Sequence, residues 1–145
     1  MKRIFILSLI ILITLSCIMS VNAEDDITVL INGVKAQFDV PPQIINSRTM
    51  VPMRMVFEML GAKVEWVPEM QLALATYKTS IIAMRINEYS FSVTDVVTNA
   101  AKSIPLDVPA QIVNDRTLIP LRAVAEALGK NVEWQGETRT AIITD

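Results

Sequence analysis

RTLIPLRAVAEALGKNVEW, residues 116–134, decides the fold, because residues 48–66 read RTMVPMRMVFEMLGAKVEW. The two stretches are displaced by 68 positions (116 − 48) throughout. Self-similarity at a fixed offset says that one supersecondary unit occurs more than once. Each copy reads as extended segment, helix, extended segment. Pro52 and Pro120 suit a first helical position, where the fixed φ is already helical and the missing amide hydrogen has no intrahelical partner to lose. Met53, Val56 and Leu60 recur at i, i+3, i+7, as do Leu121, Val124 and Leu128, giving one apolar stripe per helix. Gly61 and Gly129 follow, where a left-handed residue ends a helix. Val64-Glu65-Trp66 and Val132-Glu133-Trp134 then alternate with the period of a half-buried strand. A helix of roughly two to three turns is marginal alone in water, so a sheet must hold it.

Outward from this stretch, the chain begins with Lys2-Arg3, an apolar run over 4–19, and Val21-Asn22-Ala23 before Glu24-Asp25-Asp26. A basic start, a short apolar centre and a small-residue exit are the parts of a secretory signal peptide. The expectation is a leader over 1–23, cleaved after Ala23, in a protein bound for the extracellular space or cell surface. The competing readings are a retained membrane anchor and a lipoprotein anchored at Cys17. Thr14-Leu15-Ser16 fits a lipobox poorly, because Leu is expected three places before the cysteine. Without the leader the chain has no cysteine, and its stability must come from burial. No later stretch is apolar enough to span a bilayer. Removing Lys2 and Arg3 leaves 11 basic residues against 15 acidic, a net charge near −4. No basic stripe is present to release counterions from phosphates, so nucleic acid is not an expected partner.

Along the rest of the chain, alternation over 27–31 and 34–38 flanks Asn32-Gly33, the strongest short-range hairpin signal. Pro41-Pro42 ends the second strand. Residues 63–77 read as a second hairpin. A third, over 81–93, turns at Asn87-Glu88, since Asn tolerates positive φ. Residues 94–98 read as a junction, after which the plan recurs: a turn at Asn99-Ala100, breakers at Pro105 and Pro109, the helix, and a last hairpin over 131–144. Asp39-Val40-Pro41 matches Asp107-Val108-Pro109, Glu69 matches Glu137, and Ala73 matches Ala141. These matches point to an internal duplication, with units over 24–93 and 94–145 that could also be intertwined in one domain. The fold class expected is α+β, antiparallel hairpins packed around short helices.

The pattern N-[SD]-R-T, two apolar residues, P, an apolar residue and R, followed by E-x-L-G and V-E-W, resembles the copper amine oxidase N-terminal-like domain. The resemblance covers nearly the whole chain after the leader, in two tandem copies. It implies an antiparallel sheet curved around a helix, and an accessory, non-catalytic module of the bacterial cell envelope or extracellular space. Asn87 departs from the glycine common at that place in the family.

Copper in an amine oxidase is held by imidazoles, and this chain has no His. Neither a thiol site nor a glycine-rich phosphate loop remains after the leader, so no catalytic, metal or cofactor residue is expected. Glu58 and Glu126 could be imagined as an acid/base pair. Each lies four residues after an arginine, Arg54 or Arg122, so i,i+4 ion pairs on a helix flank are the favoured reading. Arg48 and Arg116 precede the helices and are expected to bridge Asp39 and Asp107 or loop carbonyls. Trp66 and Trp134 could be sugar-stacking platforms, but sharing a face with Val favours burial against the helix. Methionines 50, 53, 55, 59, 70 and 84 are expected to fill the first copy's core. Arg48, Pro52, Arg54, Glu58, Gly61, Trp66, Arg116, Pro120, Arg122, Glu126, Gly129 and Trp134 are therefore read as a structural motif. The partner expected is an envelope or extracellular ligand, protein or cell-wall glycan. A small cell-wall hydrolase and a purely structural surface protein are the rival functions.

Overall fold

The computed structural model describes residues 26–145; the expected leader, its cleavage point and Cys17 lie outside them. In chain order the elements begin with β1 (Thr28–Ile31), β2 (Val34–Lys35), β3 (Gln43–Ile45), β4 (Arg48–Pro52), α1 (Met53–Met59) and β5 (Lys63–Val67). A 3₁₀ turn (Pro68–Met70) leads to β6 (Leu72–Tyr77), β7 (Ser80–Arg85), β8 (Ser90–Asp95) and β9 (Ala101–Pro105). Then come β10 (Gln111–Val113), β11 (Arg116–Pro120), α2 (Leu121–Ala127), β12 (Asn131–Gln135) and β13 (Thr140–Thr144). Among the described residues the result is a mostly antiparallel β structure with two short α-helices.

Turn chemistry sets the hairpins. Asn32 and Gly33 both have positive φ, 48° and 82°, the pair of signs a type I′ turn requires. Alternation predicts β2 to reach Phe38, yet its ladder stops at Lys35, and the chain then leaves the sheet toward Pro41-Pro42. Two hairpins escaped the sequence. Asn46-Ser47 (φ 45° and 62°) joins β3 to β4, and Asn114-Asp115 (48° and 60°) joins β10 to β11. Asn, Ser and Asp there do what Asn-Gly does elsewhere, because short polar side chains tolerate the left-handed region.

The described residues form three sheets, ordered β12-β13-β1-β2, β10-β11-β4-β3 and β5-β6-β7-β8-β9. One pair, β1 with β13, is parallel. In the middle sheet β4 runs antiparallel to β11, with Pro52 opposite Leu118, Val51 opposite Ile119 and Met50 opposite Pro120. Positions 51 and 119 differ by 68, so the RT-h-h-P stretch pairs with its own counterpart about a local two-fold relation, the pattern of an isologous interface. Met50, Val51, Leu118 and Ile119 have no exposure.

Pro52 and Pro120 close the strands instead of opening the helices: their ψ angles of 117° and 109° are extended. Each helix packs across the other copy's strand, α1 on β11 and α2 on β4, and also on the strand that follows it. Both ends are Schellman motifs. Gly61 (φ +85°) donates to the Glu58 carbonyl at 3.0 Å and Ala62 to Phe57 at 2.8 Å; Gly129 (φ +75°) and Lys130 do the same to Glu126 and Ala125. Lys130, nearly buried, ties this end to the Tyr77 hydroxyl at 2.9 Å and to Asp145. The hydrogen bond that Lys130 donates to Asp145, and then the one it donates to Tyr77, raise the Lys130 pKa above its ordinary value.

Met50 and Met84 lie wholly inside and Met53 nearly so, but Met70 is half exposed on the 3₁₀ turn, where the chain bends away from the sheet. The division expected at 93/94 falls inside β8. Residues 96–100 are the turn from β8 to β9, fastened by Asp95; β9 pairs with β8 in the sheet that begins at β5, while β1 joins the hairpin of β12 and β13. The backbone ladders interleave the two stretches.

Candidate functional site: two grooves of matched lining

One groove opens beside each helix, about 750 Å³ beside α2 and about 940 Å³ beside α1. Their construction follows from the crossed packing. The helix gives its first turn and its glutamate, the strand after it gives Val-Glu-Trp, and the facing wall comes from the other copy's hairpin. Beside α2 these are Arg122, Glu126, Glu133 and Trp134, faced by Ile44, Arg48 and Thr49. Beside α1 they are Arg54, Glu58, Glu65 and Trp66, faced by Ile112, Arg116 and Thr117. Adding 68 to a number, or subtracting it, carries fifteen of the sixteen lining positions of one groove onto the other, all but Gln37 and Val108.

The arginines before the helices cross between copies. Arg116 Nε donates to Asp39 Oδ2 at 2.7 Å, and Arg48 is bonded to Asp107. Each also donates to the carbonyl of the residue before it, Asp115 at 3.1 Å and Ser47 at 3.2 Å. The Arg116 hydrogen bond holds the Asp39 carboxyl below its ordinary pKa. This crossing went unseen because Asp-Val-Pro and the arginine are near in sequence, and proximity suggests a partner within one copy.

Elsewhere the grooves differ. Arg54 and Glu58 form the expected i,i+4 pair at 3.8 Å. Lys63 holds Glu65 at 2.8 Å and lowers its pKa. In the α2 groove, Asn131 replaces Lys63, and among the described residues Arg122, Glu126 and Glu133 make no ion pair or side-chain hydrogen bond. The i,i+4 pair expected between Arg122 and Glu126 is therefore not formed. Trp66 is half-buried as the alternation predicts, but Trp134 is 37 % exposed. Two positions near it differ between the stretches. Ala123 stands where Met55 lines the other groove, and Gly136 stands where the other copy has Pro68. A β-carbon at 136 would lie 3.8 Å from the indole nitrogen.

Glu58 and Glu126 line different grooves, so the imagined acid/base pair does not converge. The donor set does not fit copper either: the chain lacks His, and no cluster of three or more acidic, His or Cys side chains occurs among the described residues. Nor is any helix among those residues long and apolar enough to cross a membrane. The exposed Ile44 and Ile112, also paired by 68, were not singled out from sequence, since two adjacent apolar residues in a three-residue strand do not tell which of them faces solvent.

Comparison with known families gives one match: the family model described as copper amine oxidase N-terminal domain covers residues 30–143 as a single span. Two tandem matches, expected from the repeat, are not seen. No curated protein matches the sequence.

Proposed function

Because the chain belongs to the copper amine oxidase N-terminal domain family, we propose that it is an exported accessory module that binds, without catalysis, a ligand of the bacterial envelope or extracellular space. The observation that carries this is the pair of grooves with matched lining, each presenting an aromatic face and an arginine from the opposite copy. The separation of Glu58 from Glu126 weighs against the hydrolase. The internal duplication is part of the proposal, supported by the offset of 68, the β4–β11 register and the crossed ion pairs.

Export follows from the three-part leader. The intact mass of secreted material should correspond to a chain starting at Glu24, and a lipid-modified Cys17 at its start would refute that. For binding, the chain from Glu24 onward should be retained on isolated envelope material and release no soluble wall fragments. Failure to be retained, or release of fragments, would overturn the module reading.

A further inference from the structure

We propose that the groove beside α2 is a glycan site, in which an uncharged pyranose ring stacks on Trp134. This rests on the module reading and names its ligand class. The flat face of a pyranose carries C–H bonds with slight positive character, and the indole face carries the negative end of a quadrupole, so the two attract beyond the area they bury. Ring hydroxyls both donate and accept. Arg122 supplies guanidinium donors, while Glu126 and Glu133 supply acceptors, and none of the three is engaged by another side chain. The other groove has spent these groups, since Lys63 holds Glu65 and Glu58 lies against Arg54. Its indole is half-buried. The α2 groove is thus the one of the pair in which these polar groups are unengaged by other side chains.

Charge sets the kind of glycan. Arg48 and Asp107 neutralise each other, leaving Arg122 against two carboxylates, a wall with one net negative charge. Anionic polymers are disfavoured there, and neutral sugars are not. A groove near 750 Å³ lies inside the usual range for small-molecule sites. Arg122, Glu126 and Glu133 line the groove together with Trp134 and the exposed Ile44, and a pyranose, with an apolar ring face and a rim of hydroxyls, matches that mixture of apolar and charged lining.

The test is calorimetric titration of the chain from Glu24 onward with four probes: the β-1,4 tetramers of N-acetylglucosamine and of glucose, a tetragalacturonate, and a capped hexapeptide of alternating serine and valine that could pair with the β12 edge. Saturable heat is expected from at least one neutral tetramer. Trp134→Ala should weaken it by about tenfold or more at unchanged melting temperature. Arg122→Ala, at an exposed helix position, should weaken it as well and serves if Trp134→Ala fails to fold. No saturable heat from either neutral tetramer, an affinity untouched by both variants, or a preference for tetragalacturonate or peptide would overturn the proposal. If the parent and Trp134→Ala were equally retained on envelope material, the glycan site would fall and the module reading would stand. Cleavage of a tetramer would sink the module reading itself.

Discussion

Arg116 and Asp39 lie 77 residues apart and are joined by a hydrogen bond of 2.7 Å, while the matching bond joins Arg48 to Asp107. Each arginine passes over the aspartate of its own copy and takes that of the other. The pairs are exposed, so neither can hold the fold together, but they report which strands lie together. In a double-mutant cycle, Arg116→Ala and Asp39→Ala should couple, and Arg48→Ala with Asp39→Ala should add. The coupling should shrink as sodium chloride is raised. Coupling of Arg48 to Asp39 instead would contradict the crossing.

The helix ends allow core and backbone contributions to be told apart. Phe57 has no exposure and Leu121 only 2 %, so Phe57→Ala should cost about 3–5 kcal/mol and Leu121→Ala about 2–5 kcal/mol. Leu128, expected from its spacing to anchor α2, is only half-buried at the helix end, and Leu128→Ala should cost less than Leu121→Ala. A β-carbon added at Gly129 meets nothing within 4 Å, so Gly129→Ala isolates the left-handed backbone penalty, about 1–2 kcal/mol. Glu126→Gln should be close to neutral, since no ion pair is lost. Urea unfolding of the five variants measures these, and a Leu128→Ala cost above that of Leu121→Ala would refute the assignment.

What was legible followed from local rules. Asn32-Gly33, the apolar stripes and the glycines at 61 and 129 each declare themselves within a few residues, and the helices and hairpins they imply are present. What was not legible depends on distant neighbours. The parallel pairing of Thr28 with Thr140 has no local signature. Alternation around Trp134 tells which face the indole shares with Val132, but not whether anything covers that face. Residue 123 on the helix and residue 136 beyond the strand both differ between the two stretches, and their place beside the indole is set by tertiary packing. The candidate groove was therefore half visible: its residues were singled out, its openness was not.

Acid should loosen the turn between β8 and β9. Asp95 accepts hydrogen bonds from the Thr98 and Val97 amides and from the Thr79 and Thr98 hydroxyls, which lower its pKa from 3.8 to about 2, the Thr98 amide most of all. The folded state therefore favours the charged form. Its contribution is complete above the ordinary value and is lost as pH falls from about 4 toward 2. The stability gap between the parent and Asp95→Asn should close over that window in urea melts at stepped pH. A carboxyl titration midpoint for Asp95 near 3.8 by NMR would contradict the structure.

Interleaving of the ladders makes a prediction about cutting the chain. A break after Thr98 severs no strand, only the turn that Asp95 fastens. Yet it parts β8 from β9, β1 from β13 and β4 from β11. The last separation would expose Met50, Val51, Leu118 and Ile119, all fully buried in the intact chain, and burying such a side chain contributes about 1.5–3 kcal/mol. For pieces of this size that loss is a large part of the usual margin. Neither the piece ending at Thr98 nor the piece beginning at Asn99 should fold alone, while mixing them should restore the far-UV circular dichroism of the intact protein. The register of β4 allows one alternative, in which Val51 pairs with Val51 of a second piece, and sedimentation would show it as a dimer. If both pieces folded as monomers, the two copies would be independent domains and the interleaved ladders would be wrong.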